Sequence, residues 1–361
     1  MVTVTRGTCV VSFAFEIGYS IDLDRCERLL TESVRQTIRP GRRAPRHFAY
    51  RPAPLRLTQE AERVAVDGHT CDGVDLVLYD FGAASVSFRL PLGGADLEDL
   101  VRLSDRLYEN AELEAEAGSR IEGLLAAVGP AVVRPRLASI MEDYVVYQLE
   151  RIDPAHSVTQ LLETAGDVFA RILRAERSAL SQQELEDALS ARLSVSTEDL
   201  VLIDWNAAIV VDPDPDDARL VLEFANVQLL ELRWLDAELD LVLAQAYDVL
   251  ARTARGRGAG LRMHARNLDR VGELQADSAV LFERVTNALK LIGDQYLSRL
   301  YRLVSERLHL GDWDAGIARK LQTLEGIYGK LVDRASARRL EALEWIVILL
   351  IGLEIVLSLF G

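Results

Sequence analysis

All ten prolines of this 361-residue chain fall at or before position 215. Inside a helix, proline removes a hydrogen bond and clashes with the preceding turn, at a cost of about 3 kcal/mol. The stretch after Pro215 is therefore free to form long uninterrupted helices, and the spacing of its apolar side chains predicts them. Leu222, Ala225, Leu229, Leu232, Asp236, Leu239, Leu243, Ala246 and Leu250 recur at alternating three- and four-residue steps. Beyond the glycine-rich break at 256–260, Leu281, Val285, Ala288, Ile292 and Tyr296 repeat that spacing. After Gly311-Asp312 it returns in Ile317, Leu321, Leu324, Tyr328, Leu331 and Ala335. Heptad-like seams of this kind predict a three-helix antiparallel coiled-coil stalk over residues 216–342. Four polar residues sit in these helices: Asn226, Glu231, Asn287 and Asp294. They point to a polar site between helices, to side chains that set register, or to positions facing water.

The third seam continues through Ala342, Trp345, Leu349, Gly352 and Val356 into the terminal run WIVILLIGLEIVLSLFG. Ile, Val, Leu and Phe supply most of that run. At roughly −0.3 to −0.6 kcal/mol each, they favour bilayer insertion by about −4 to −7 kcal/mol, against about +3 kcal/mol for Glu354. The expectation is a C-terminal transmembrane anchor over residues 343–361, with the lipid bilayer as a partner. Lys330, Arg334, Arg338 and Arg339 would hold the rest of the chain on the cytoplasmic side of an inner membrane, as a single-pass protein. Glu354 admits two readings. One pairs it with another subunit, a partner helix or an ion; the other leaves it protonated and hydrogen-bonded to Ser358 or backbone.

Residues 1–215 alternate short strand-like and helix-like runs and read as a mixed α+β cytosolic domain, with room for two similar smaller units. Val10 to Ile17 has strand character, and Asp22 to Ile38 is an amphipathic helix. Runs at 63–66, 74–79 and 84–90 suggest a meander turning at Asp67-Gly68 and Phe81-Gly82. Residues 95–128 read as one helix. A strand follows at 144–149, then helices at 164–176 and 181–193, the latter opened by Ser181 and Glu184 as a capping box. Two closing strands flank Trp205-Asn206.

A net charge of −15 argues against DNA as a partner, because phosphate affinity needs clustered positive charge. Cys9, Cys26 and Cys71 have no paired spacing and read as reduced thiols. Two arginine-rich stretches stand out locally. RPGRRAPRHFAYR, with Arg42, Arg43 and Arg46 beside Phe48 and Tyr50, suits phosphate, RNA bases or anionic lipid, or else a solvated loop. Arg255, Arg257 and Arg262 lie at the bend between the first two stalk helices and suit an RNA or ribosome contact. The run from Asp212 to Asp217 is interrupted by two prolines and lacks the glycine and distant glutamate of a calcium loop, so it reads as a turn and an acidic helix start. The sequence offers no catalytic, cofactor-binding or metal-binding set.

Three segments together resemble the YagE-like family, also called the "required for meiotic nuclear division" family. They are LEFANVQLLELRWLDAELD (222–240), NALKLIGDQYLSRLY (287–301) and LEWIVILLIGLEIVL (343–357). That resemblance implies a membrane-anchored protein with a mixed N-terminal domain, oligomerisation and a link to translation. It carries no catalytic residues onto this chain. The resulting expectation is a non-enzymatic, tail-anchored scaffold that self-associates and holds a cytosolic partner, ribosomal or another protein. Two alternatives stand beside it: an oligomeric ion-transport protein of the magnesium-channel type with Glu354 in the membrane, and a membrane-tethered enzyme acting on nucleotide or RNA.

Overall fold

The run TVTRGTCVVSFAFE, rich in β-branched and aromatic residues, forms a strand longer than its apolar core, β1 (Thr3–Glu16). In this computed structural model the described residues are 2–33, 39–41, 52–59, 64–154, 157–254, 295–327 and 329–330. After β1 come β2 (Ser20–Ile21), α1 (Leu23–Ser33), β3 (Arg39–Gly41), β4 (Leu55–Gln59), β5 (Ala65–Val66), β6 (His69–Thr70), β7 (Gly73–Leu78) and β8 (Ala83–Pro91). Next are α2 (Leu97–Leu107), α3 (Ala111–Val128), β9 (Val132–Val133), β10 (Met141–Asp153), α4 (Val158–Arg174) and α5 (Gln182–Ala188). The last elements are β11 (Arg192–Leu193), β12 (Leu200–Ile203), β13 (Ala207–Val211), α6 (Asp216–Ala254) and α7 (Gln295–Arg307). Residues 310–327 are also helical.

Nine strands make one sheet in the order β11-β12-β13-β10-β1-β8-β7-β4-β3. Every pairing is antiparallel except β10 with β13, where Val145 lies opposite Ala207. A parallel pair needs a crossover, which α4 and α5 supply. From Cys9 to Glu16 every residue of β1 is buried, because both faces of the sheet are covered. Cys9, Val11, Phe13 and Phe15 join the main core with Val86, Phe88, Tyr147, Leu100, Ile121 and Phe169. The intervening Val10, Ser12, Ala14 and Glu16 point to the opposite face, where Ser12 and Ser87 meet hydroxyl to hydroxyl at 2.8 Å.

Local signals explain the breaks. The helix expected over 95–128 is two helices. Asn110 caps α3 by accepting from the Leu113 amide at 2.9 Å, and Asp96 opens α2 with a reciprocal capping box to Asp99. Asp67 and Gly68 both take positive φ (48° and 83°), the mirror-image turn that joins β5 to β6. Ser181 caps α5, accepting from the Glu184 amide at 3.2 Å, but the box is not reciprocal, the Glu184 carboxylate lying 3.6 Å from Arg174, and the helix expected over 181–193 ends at Ala188.

The chain divides into two units, Met1–Trp234 with Leu281–Trp313, and Leu235–Val280 with Asp314–Gly361. The first contains the whole sheet, α1–α5, α7 and residues 216–234 of α6. In the second, Lys320 Nζ reaches Asp236 Oδ1 at 2.7 Å and Asp240 Oδ1 at 2.6 Å, while Leu241 and Tyr247 of α6 are exposed.

Three expectations are corrected here. Among the described residues no helix is long and apolar enough to cross a membrane. A fold ending in a transmembrane helix, and with it a single-pass inner-membrane location, is therefore not what these residues show; residues 343–361, with Trp345, Gly352 and Glu354, lie outside them. The coiled-coil reading of the first stalk helix also changes. From Val221 to Val227 every residue of α6 is buried, Glu223 and Asn226 included, which marks a helix enclosed in a domain and not one exposing the outer side of a stalk. Three-and-four spacing arises whenever a helix buries a face, whether the facing surface is another helix or a sheet. Most of the second seam lies outside the described residues, and 317–327 of the third are helical.

Candidate functional site

The sheet face beneath α6 is polar at alternate positions, and its charges close on one another. Arg56 (β4) reaches Asp75 (β7) and Glu223 (α6), both at 3.3 Å. Glu223 also accepts from Ser85 Oγ (β8) at 3.0 Å and from Arg219 at 3.0 Å. Asp75 accepts from Thr58 at 2.7 Å and faces Arg89 at 3.6 Å. Burial pushes the Glu223 carboxyl up, but Arg56 and Arg219 outweigh it and hold the group below the ordinary glutamate range. The Tyr79 hydroxyl beside it is pushed far up by burial and by the charge of Glu223. This network fastens α6 to β4, β7 and β8. Further along, Asn226 donates to the Glu142 carbonyl at 3.3 Å, and Arg233 pairs with the Glu142 side chain at 2.5 Å.

A second cluster centres on Asp204, which is 0% exposed at the β12–β13 turn. Arg307 at the end of α7 donates to its Oδ1 at 2.7 and 3.1 Å, and Arg174 near the end of α4 lies 3.0 Å from its Oδ2. Both arginines also bind Asp187 of α5. Hydrogen bonds from Arg307 hold Asp187 below the usual carboxylate range. Tyr144 donates to the Asp204 carbonyl at 2.9 Å. Asp204 and Asp187, sharing two arginines, thus gather α4, α5, α7 and the sheet edge.

Directly above it the surface is aromatic. Trp205 and Tyr108 are 48% and 43% exposed, with ring centroids 6.2 Å apart and planes at 83°. An open hollow of about 300 Å³ lies among Val195, Ser196, Glu198, Asp199, Asp212, Pro213 and Tyr296. In it, burial raises Asp212, with Asp199 and Asp214 adding like charge. Burial acts on Asp199 in the same sense, but the Ser196 hydroxyl and the amides of Val195 and Ser196 hold it low. Asp212 accepts from the Asp214 amide at 2.8 Å, and Asp216 and Asp217 occupy the first turn of α6, the turn and acidic helix start that the sequence implies.

Of the residues singled out by sequence, Asn226 and Glu231 are buried on α6, and the Asn226 amide is used within the first unit. Asn287 and Asp294 lie outside the described residues, as do Arg42, Arg43, Arg46, Arg255, Arg257 and Arg262. Cys9, Cys26 and Cys71 are buried free thiols; burial pushes Cys26 up to about 11 and raises the other two. Among the described residues no group of three or more His, Cys, Asp or Glu side chains is placed to hold a metal ion. Sequence reasoning passed over Arg56, Asp75, Arg219 and Glu223. Their signal was the polar alternation Ser85-Ser87-Arg89 in an otherwise apolar strand, facing a glutamate inside the apolar run VLEFANVQLL.

Residues 6–218 match the family described as "Uncharacterized protein MJ0711, N-terminal domain". A relative, the uncharacterized protein MJ0711 of Methanocaldococcus jannaschii, is 22% identical over 307 residues, covering 84% of each chain. No solved structure matches the chain.

Proposed function

This chain belongs to the MJ0711 N-terminal domain family, and we propose that it is a non-enzymatic assembly protein whose sheet domain holds a protein partner and whose helical unit self-associates. One contrast carries this reading. The buried charges Arg56, Asp75, Arg219 and Glu223, and again Asp204, Arg174 and Arg307, are engaged with each other. Large aromatic side chains meanwhile face solvent at Tyr108 and Trp205, the residue types that anchor protein contacts. A catalytic site commonly presents perturbed titratable groups at an opening where substrate completes them. In the open hollow, Asp199 and Asp212 are instead engaged by amides of their own loops, those of Val195 and Ser196 and that of Asp214. The exposed Leu241 and Tyr247 on α6 support self-association of the helical unit.

In-cell crosslinking of the full chain at native abundance tests this reading. A discrete, recurring complex heavier than one 40.1 kDa chain is expected. Recovery of the single chain alone, at every crosslinker length, contradicts it.

A further inference from the structure

We propose that the surface formed by Tyr108, Trp205, Glu109 and Asp143 is a docking site for an arginine- or lysine-bearing segment of a protein partner, which deepens the partner-holding reading and rests on it. The two rings come from separate elements and are held from below. Asp204, locked by two arginines, accepts from the Trp205 amide at 2.8 Å. On the other side, Asn110 donates to the Arg106 carbonyl at 2.8 Å, which fixes the short link carrying Tyr108. The aromatic platform therefore loses little freedom when something binds it.

Acidic groups crowd around that platform. Glu109 follows Tyr108 at a positive φ of 48°, and desolvation together with the charges of Glu109 and Asp143 raises the Tyr108 phenol. Asp143 stands near the start of β10, two residues before Val145, which pairs with Ala207 and donates its amide to the Asn206 carbonyl at 3.0 Å; Asp143 thus lies at the end of the β10–β13 pair from which the Trp205 turn departs. Partial desolvation raises the Asp143 pKa, and the charges of Glu114 and Glu109 raise it further, so the carboxylates repel one another where they stand. A guanidinium or ammonium group against the ring faces would gain cation–π attraction and relieve that repulsion together. The chain's net charge of −15 favours the approach of such a partner.

The experiment titrates the full chain with a fluorescent peptide alternating glycine with arginine and lysine, beside a glycine–glutamine peptide. The basic peptide should saturate the protein while the neutral one does not. Trp205→Ala should weaken binding about tenfold or more, and Trp205→Phe should restore most of it. Asp143→Asn should weaken binding about threefold and flatten its salt dependence. Equal binding of both peptides overturns the proposal. So does an unaltered Trp205→Ala, or a loss with the surface change Asp153→Asn, at the opposite end of β10, equal to that with Asp143→Asn. If Trp205→Ala dissolves self-assembly of the chain, the occupant is a second copy, and a foreign basic partner is refuted. Failure of the peptide to bind a chain that still forms complexes in cells removes this site and leaves the assembly reading. Peptide binding to a chain that forms no complexes does the reverse.

Discussion

Glu223→Gln keeps the shape of the side chain and deletes its charge, leaving Arg56 and Arg219 facing a neutral amide. Removing one partner of a buried ion pair costs about 3–5 kcal/mol when the remaining charge has no other recourse. Here some recourse exists. Arg56 retains Asp75 at 3.3 Å, Arg219 retains Asp216 at 3.8 Å, and the amide oxygen still accepts from Ser85. The expected loss is therefore about 3 kcal/mol, the lower end, or a fall in Tm of roughly 6–12 °C for a unit of this size. Urea unfolding followed by tryptophan fluorescence measures it. The pairing is separable from simple packing by a cycle with Arg56→Met. The double variant should lose less than the sum of the singles by about 1–3 kcal/mol. The sign of the pH dependence follows from the lowered Glu223 pKa. Its contribution is present above the unfolded glutamate value near 4.3 and is lost as pH falls through the folded value. The wild type should thus lose stability on acidification more steeply than Glu223→Gln. A variant within about 0.5 kcal/mol of wild type at neutral pH would refute the claim that this network fastens α6 to the sheet.

Asp204→Asn should loosen α7, which it holds through Arg307. Losing charged hydrogen bonds worth about 2 kcal/mol predicts amide exchange in Gln295–Arg307 faster by on the order of 30-fold, while β1 stays protected. Unchanged exchange would show that Leu297, Leu300 and Val304 hold α7 without the arginine clamp. The three thiols should be silent to a disulfide reagent at pH 8 in the folded chain, since burial keeps them protonated, and all three should react in denaturant. Rapid labelling of Cys9 in the native state would contradict its place in the central strand.

The mixed domain was legible because strands and caps announce themselves locally. β7, β8, β12 and β13 follow their apolar runs, and Ser181 and Asp67-Gly68 mark boundaries through a hydrogen bond or positive φ. The split between α2 and α3 was missed because Tyr108-Glu109-Asn110 carries no glycine or proline; only the capping power of Asn110 reveals it. The polar face of β8 was passed over for a different reason. Serines at every second position do not say what faces them, and only the full sheet shows that α6 covers them and supplies Glu223 to meet Ser85. The packing that brings β10 alongside β13, and Arg174 and Arg307 onto one carboxylate, depends on contacts between residues distant in sequence. Periodicity within one segment carries no trace of such pairings. The three-and-four spacing after Pro215 announced helices correctly for 216–254 and 317–327, yet not the surface against which they pack.

The most direct test of the assembly reading is the mass of the purified full-length chain in solution, measured by sedimentation velocity across a wide concentration range. A defined multiple of the 40.1 kDa chain is expected, one that persists on dilution and dissociates when Leu241 and Tyr247 are both replaced by serine. A single species of one chain at every concentration would contradict it.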